Sequence, residues 1–164
     1  MASDVHIRRI TDDDWNGIVA LEAGAYTDSA LSEERAALES RARASPATCF
    51  VLECDRRLAG YVLALPYPMF RYPDPTRREE IAFRSPNLHL HDLVIAENLR
   101  GRGLAKRLLR HLTTTAGSRA HERISLIAVG GSETFWSTNG YKAHHEVELP
   151  SSYGPNAVYM SRAV

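Results

Sequence analysis

The segment Leu93-Val94-Ile95-Ala96-Glu97-Asn98-Leu99-Arg100-Gly101-Arg102-Gly103-Leu104-Ala105 passes from strand formers, through a turn of arginine and glycine, into a helix. The helix is marked by Leu104, Leu108, Leu112 and Ala116, whose spacing of four puts them on one face. The first N–H groups of such a helix lack intrahelical partners, and its positive dipole end favours an anion. Glycine at 101 and 103 removes Cβ atoms that would block close approach. Two readings follow: a seat for a pyrophosphate, or a glycine turn ahead of a basic helix. A dinucleotide fingerprint is set aside because Lys106, not glycine, stands three positions after Gly103, and no Gly-Lys-Ser/Thr completes a P-loop.

Downstream, Gly117 stops the helix, Arg123 to Val129 reads as a strand, and Gly130-Gly131 turns it. Ser132 caps a short helix through Asn139, Gly140 ends it, and strands over Tyr141 to Leu149 and Ala157 to Ala163 flank Pro150 to Asn156. Upstream of the glycine turn, Leu88 to Ile95 is a strand. Before it, Pro66, Pro68, Pro73, Pro75 and Pro86 make the stretch from Pro66 to Pro86 a long loop, since neither a helix nor a central strand tolerates that density. Thr48 to Glu53 and Leu58 to Leu65 form a hairpin about Cys54 to Arg57. A helix starting near Ser32 ends before Pro46, another spans Asp12 to Ala25 behind the cap Thr11, and Val5 to Ile10 alternates as a strand. This order predicts a mixed α/β architecture, a mixed sheet flanked by helices.

The chain has 164 residues, with Lys+Arg and Asp+Glu balanced at 20 each, which fits one domain and gives no bulk attraction to nucleic acid. The apolar runs fall well short of a bilayer span, and Met1 to Arg9 lacks a signal-peptide core, so a cytoplasmic protein without a membrane partner is expected. Cys49 and Cys54 fall on opposite faces of a strand and read as free thiols, and no zinc pattern or other metal site is present in the sequence.

His89-Leu90-His91 lies just ahead of the glycine turn. Period-two geometry puts both imidazoles on one face with Cα atoms about 6.6 Å apart. Such a pair reads as a water-bridged base or as a hydrogen-bonded core pair. An amine resembling lysine, with a pKa near 10.4, is neutral in only about one molecule in two thousand at pH 7. An imidazole titrating near 6.5 suits the removal of its proton.

Arg100-Gly101-Arg102-Gly103-Leu104-Ala105 resembles the Arg/Gln-x-x-Gly-x-Gly/Ala signature of the GNAT N-acetyltransferases, in the same strand-to-helix setting. Glu133 to Tyr141 matches the place where that superfamily has its aromatic pair and Gly-Phe ending, and the order of elements is similar over the whole chain. The resemblance implies a single domain over 1–164: a GNAT-like, mixed, largely antiparallel sheet of six to seven strands with about four helices. It implies acetyl-CoA, or another acyl-CoA, as cosubstrate. Residues Arg100, Gly101, Arg102, Gly103, Leu104 and Ala105 would hold the pyrophosphate, and a splayed pair of strands would hold the pantetheine arm against Leu93, Val94 and Ile95. A strand N–H near Val94 would receive the thioester oxygen.

His-Leu-His-x-Leu-x-Ile is further similar to the serotonin, or arylalkylamine, N-acetyltransferases, which implies a base role for His89 and His91. The family's tyrosine acid is replaced by Trp136, whose indole only donates. Tyr141, Tyr153 and Tyr159 are the alternatives, or the thiolate, with a pKa near 8.5, leaves unassisted. Ser132 stands where the family has an asparagine, either against the cosubstrate or simply as the helix cap.

For the acceptor, Tyr67, Phe70 and Tyr72 either wall a pocket or pack their loop, and Tyr26 is placed on the other side. Glu22, Asp28, Glu33 and Glu34 either attract an ammonium group or serve helix starts and solubility. The expected activity is acetyl-CoA-dependent acylation of a small-molecule primary amine, an arylalkylamine among the candidates, by direct transfer. The alternatives are a longer acyl-CoA or aminoacyl-tRNA as donor, or a non-catalytic acyl-CoA sensor. A homodimer is compatible with all of these.

Overall fold

The computed structural model describes residues 4–26 and 32–164. Seven strands, β1 (Val5–Arg9), β2 (Phe50–Cys54), β3 (Arg57–Pro66), β4 (Asn87–Ile95), β5 (Arg123–Ala128), β6 (Lys142–His144) and β7 (Val158–Ala163), form one sheet in the order β1-β2-β3-β4-β5-β7-β6. All neighbours are antiparallel except β4 and β5. The helices are α1 (Trp15–Ala25), α2 (Arg35–Ala44), α3 (Leu104–Ser118) and α4 (Glu133–Thr138).

Each face of the sheet buries its own apolar set. On one, Leu104, Leu108 and Leu112 of α3 and Trp136 of α4 pack on Leu88, Leu90, Ile124, Leu126 and Met160. On the other, Trp15 and Ile18 of α1 and Leu38 and Ala42 of α2 cover Val51, Tyr61, Leu63 and Val94. The spacing of four read along α3 is the stripe that meets the sheet. Cys49 and Cys54 are buried in the two different sets, and both are free.

Three boundaries differ from the sequence reading by three residues or more. The expected first helix divides into a 3-10 turn at Asp12–Asp14 followed by α1, because the Asp14 carboxylate turns back to the Thr11 N–H at 2.7 Å and to Arg8 at 2.8 Å. The second helix starts at Arg35 rather than near Ser32, since the Ser32 hydroxyl and the Glu33 N–H both donate to the Glu22 carboxylate, each at 2.6 Å. The expected strand from Tyr141 to Leu149 is confined to Lys142–His144. Its partner β7 begins at Val158, opposite the end of that ladder, and Val147 N–H instead closes a turn on the His144 carbonyl.

An irregularity in β4 positions the site. Leu90 pairs with Ala64 and Asp92 with Leu63, so His91 is an extra residue, a β-bulge. Ahead of it, Leu88 and Leu90 face α3; beyond it, Leu93 and Ile95 face α3 while Val94 joins the α1–α2 core. The phase of the strand is thereby inverted, and the consecutive residues His91 and Asp92 both reach partners on the α1–α2 side. Pairing of β4 with β5 covers only Asn87–Leu90 against Arg123–Leu126, so the two parallel strands part at the bulge.

Candidate active site

Where β4 and β5 separate, a cleft of about 400 Å³ opens between Leu90–Ile95 on one side and Leu126, Ile127 and Val129 on the other. Tyr26, Ser132, Phe135 and Trp136 also line it. Beyond Arg100 and Ala105 it continues into a hollow over Gly101, Gly103, Lys106 and Asn139.

Val94 is paired with Tyr61, and Ala96 N–H donates to Ala59 at 2.7 Å. Because peptides of an antiparallel strand alternate in direction, Val94 spends its N–H and carbonyl on β3, while those of Leu93 and Ile95 turn toward the cleft. The Ile95 carbonyl accepts Arg100 Nε at 3.2 Å, consistent with that direction. The sequence reading expects a carbonyl-binding N–H near Val94; the N–H of Val94 itself is engaged with β3, and the peptides on either side of it are the ones that face the cleft.

Gly101 and Gly103 have φ of 81° and 76°, a left-handed conformation that favours glycine. The α3 ladder begins with Arg107 N–H to the Gly103 carbonyl at 3.1 Å, leaving the first-turn N–H groups of the helix for a ligand. Among the described residues nothing lies within 4 Å of the space a Cβ of Gly103 would occupy. This cradle, with Arg100 and Lys106 on the hollow and Arg102 exposed at the turn, fits a diphosphate; the narrow apolar cleft beside it fits a thioester arm.

The two histidines sit on one face but in different surroundings. His89, 1% exposed, has Nδ1 at 2.9 Å from Ser125 Oγ and stacks with Tyr159. Burial first, then the charges of His91 and Arg41, hold its pKa well below the ordinary 6.5, so it stays neutral. His91 lines the cleft, and its Nε2 is 2.6 Å from Glu33 Oε2. Burial pushes the Glu33 carboxyl upward, but His91 and Arg41 outweigh it and keep Glu33 below its ordinary range. The carboxylate therefore accepts the Nε2 proton, and in the neutral ring Nδ1 is the basic nitrogen. Among the described residues Nδ1 has no hydrogen-bond partner.

Asp92 accepts Tyr26 Oη–H at 2.7 Å and Tyr61 Oη–H at 2.5 Å. Burial raises its pKa to about 6 in spite of both bonds. A side chamber of about 50 Å³ joins Tyr26, Glu33, His91, Asp92 and Tyr153 and shares Ile127 and Val129 with the cleft.

Of the acceptor residues expected from sequence, only Tyr26 reaches the cleft. Tyr67 donates to Glu79 at 2.9 Å and packs on Phe83 and His89. Phe70 lies over Tyr159 and His144, and Tyr72 lies against Tyr153 and Tyr159. These rings pack the long loop onto the part of the sheet that α1 and α2 leave uncovered. Ser132 lines the cleft, with its hydroxyl donating to the Val129 carbonyl at 2.7 Å. Of the tyrosines weighed as acids, Tyr141 is buried behind Trp136, Tyr159 accepts the Phe70 N–H, and Tyr153 donates to the Pro73 carbonyl. Glu33 is the one of the four weighed acids that meets His91; Glu22 supports it from below, Glu34 precedes α2, and Asp28 lies outside the described residues. Sequence reasoning passed over Asp92, Tyr61 and Arg41, for which no local motif exists.

Among the described residues, no helix is long and apolar enough to cross a membrane. No curated protein sequence matches the chain significantly. Solved structures do. The loading GNATL domain of CurA from Lyngbya majuscula superposes with a TM-score of 0.80 at 16% identity, covering 98% of both chains. Ard1 from Thermoplasma volcanium gives 0.75 at 14% identity over 98% of this chain and 97% of that one. The PaiA N-acetyltransferase of Thermoplasma acidophilum, solved with coenzyme A, gives 0.70 at 13% identity over 98% and 99%. At these identities the likeness concerns the fold. The profile of the Acetyltransferase (GNAT) family matches residues 15–141. With a sheet that splays at β4 and β5 beside a glycine-rich helix start, the chain belongs to the GNAT acetyltransferase family.

Proposed function

We propose that this protein is an acetyl-CoA-dependent N-acyltransferase that acetylates a primary amine of a small molecule by direct transfer. The observation that carries this reading is His91. At the point where β4 leaves β5, its Nε2 is committed to Glu33, and its Nδ1, buried at the wall of the cleft, has no hydrogen-bond partner among the described residues.

Acetyl-CoA supplies an activated thioester carbonyl. The first turn of α3 and Arg100 hold its diphosphate, and the apolar walls of the cleft hold its arm. The amine approaches from the side chamber, where Glu33 and Asp92 favour an ammonium group. His91 Nδ1 takes its proton, relieving a handicap of about 4–5 kcal/mol at pH 7 for an amine resembling lysine. Glu33 stabilises the imidazolium that results, as an orienting carboxylate does in a hydrolase triad. Leu93 N–H, two residues from His91, is the fixed donor for the carbonyl oxygen. His89, neutral and committed to Ser125, supports the strand rather than the proton transfer.

Tyr26 is the tyrosine on the cleft, but its proton is given to Asp92 at 2.7 Å, and Trp136 has no acidic group. The thiolate therefore leaves without a dedicated acid, which a thiol pKa near 8.5 permits. The chamber walls Tyr26 and Tyr153 present aromatic surface, which keeps arylalkylamines among the acceptors to test first.

The test is thiol release from acetyl-CoA against arylalkylamines, polyamines, aminoglycosides, amino acids and peptide N-termini, with coenzyme A binding measured in parallel. Saturable release with a small amine, and a matching acetylamine by mass, is the expected result. Tight coenzyme A binding with no release from any acceptor would overturn the acetylation reading in favour of another donor or a sensor.

A further inference from the structure

His91 depends on Glu33, and Glu33 is itself held from the opposite side. Arg41 of α2 is fully buried. Its Nε and Nη2 donate to Glu33 Oε1 at 3.2 and 2.6 Å, while the other oxygen of the same carboxylate meets His91. Its Nη1 donates to Glu79, and its Nη2 also reaches the carbonyls of Asp74 and Arg77 at 3.0 and 3.1 Å. Glu79 is fixed in turn by Tyr67 Oη–H at 2.9 Å, and its N–H donates to Ser40 Oγ at 2.8 Å. One guanidinium thus joins α2, the segment ahead of it, the proline-rich loop and, through a single carboxylate, the imidazole on the β4 bulge.

Resting on the acyltransferase reading above, we propose that Arg41 is a positioning residue: it aims Glu33 at His91 and ties the Pro66–Pro86 loop to the reaction centre, so that acceptor-side geometry is set through its guanidinium.

The chemistry supports a positioning role over a purely stabilising one. Removing a guanidinium and two carboxylates from water is costly, and a buried ion pair is weak evidence of net stability. Two guanidinium N–H groups converge on Oε1, an arrangement that a single ammonium charge does not reproduce, and Oε2 is left to meet Nε2. The groups facing Glu33 are Arg41 from α2, His91 and Asp92 from β4, Glu22 and Tyr26 from α1 and its end, and Tyr153 from the 3-10 turn Ser151–Tyr153. Arg41 is the one permanent cation among them. Without it, Glu33 remains beside Glu22 with only His91 opposite its carboxylate.

The experiment compares Arg41→Lys, Arg41→Gln and Glu79→Gln by three readouts: the His91 tautomer by nitrogen NMR, the pH profile of kcat/KM, and KM for the amine against KM for acetyl-CoA. In the wild type, Nε2 carries the proton. Both Arg41 substitutions are expected to mix the tautomers and to lower kcat/KM at least tenfold. In Arg41→Gln the acidic limb moves to higher pH by half a unit or more. Glu79→Gln is expected to raise the amine KM about fivefold or more, leave the acetyl-CoA KM within twofold, and leave the tautomer unchanged. A lowered Tm with tautomer, pH profile and KM values all as in the wild type would overturn the proposal. Arg41→Lys and Glu79→Gln keep the test decisive if Arg41→Gln does not fold. NMR also separates the two readings: if no amine turns over but the Arg41 substitutions still mix the tautomers, acyltransfer fails while Arg41's hold on the imidazole stands.

Discussion

Glu33 and His91, 58 positions apart in sequence, meet through Oε2 and Nε2 at 2.6 Å, with both side chains almost wholly buried. The carboxylate fixes which ring nitrogen bears the proton, and so which one is basic. In the proposed acyl transfer, proton removal would fall to one atom, His91 Nδ1.

His91→Ala is expected to lower kcat/KM for the amine by about 10²-fold or more at pH 7, the usual worth of a positioned base. The deficit should shrink toward pH 10, where the amine is already neutral. His89→Ala should instead lower Tm while leaving the shape of the pH profile intact, because its imidazole is committed to Ser125. A pH series of steady-state rates checks both; a His91→Ala deficit equal at every pH would assign a positional role only.

Asp92 links stability to pH with a definite sign. Its pKa is raised from 3.8 to about 6, so the folded state holds that proton more tightly than the unfolded chain. The contribution is fully present below pH 4 and is lost as pH rises through 6, by about 3 kcal/mol. Asp14 and Glu33, lowered by their partners, act in the opposite sense at more acidic pH. Denaturant titrations of wild type and Asp92→Asn from pH 4 to 8 should give a difference that grows in favour of the variant as pH rises. A difference independent of pH would contradict the assignment.

Gly103→Ala places a side chain on a φ of 76°, a conformation that costs an L-residue about 1–2 kcal/mol. Among the described residues nothing obstructs the added methyl group, so the effect should fall on the ligand seat. Calorimetry is expected to show coenzyme A binding weakened about tenfold, with the amine KM unchanged. A matching loss for the amine would mean that the two sites are not separable in this way.

Gly60 lies beneath the strand that carries the site. A Cβ there would stand 2.6 Å from Ile95 Cδ1 and 2.8 Å from the Val94 carbonyl oxygen, and the second contact is backbone that cannot step aside. Gly60→Ala should destabilise the fold by about 1–3 kcal/mol, an overpacking cost, or about 3–10 °C in Tm for a domain of this size. Thermal unfolding checks it, and an unchanged Tm would mean that β3 and β4 separate there without cost.

The sequence by itself determined the glycine-rich strand-to-helix turn and most of the frame. The strand-to-helix passage through Arg100–Ala105, the apolar stripe of α3, the hairpin of β2 and β3 and the proline-rich loop are local statements. Each rests on backbone freedom, missing donors or side-chain period within a few residues. Only the tertiary structure decided the surroundings of His91. The bulge at His91 is defined by register against Leu63 and Ala64, and no local spacing announces it. It inverts the phase of β4, turns the Leu93 and Ile95 peptides rather than that of Val94 toward the cleft, and sets His91 beside Asp92. Glu33 carries two readings in the sequence, an attractor of ammonium or a charge at a helix start, and Arg41 none as a site residue, until the fold removes both from water and pairs them. Tyr67, Phe70 and Tyr72 suit a pocket wall or loop packing equally in the sequence; in the fold Phe70 and Tyr72 lie against Tyr159 and Tyr67 against His89 and Phe83. Such outcomes depend on which surfaces remain to be buried once the strands have paired, and that is a property of the assembled sheet.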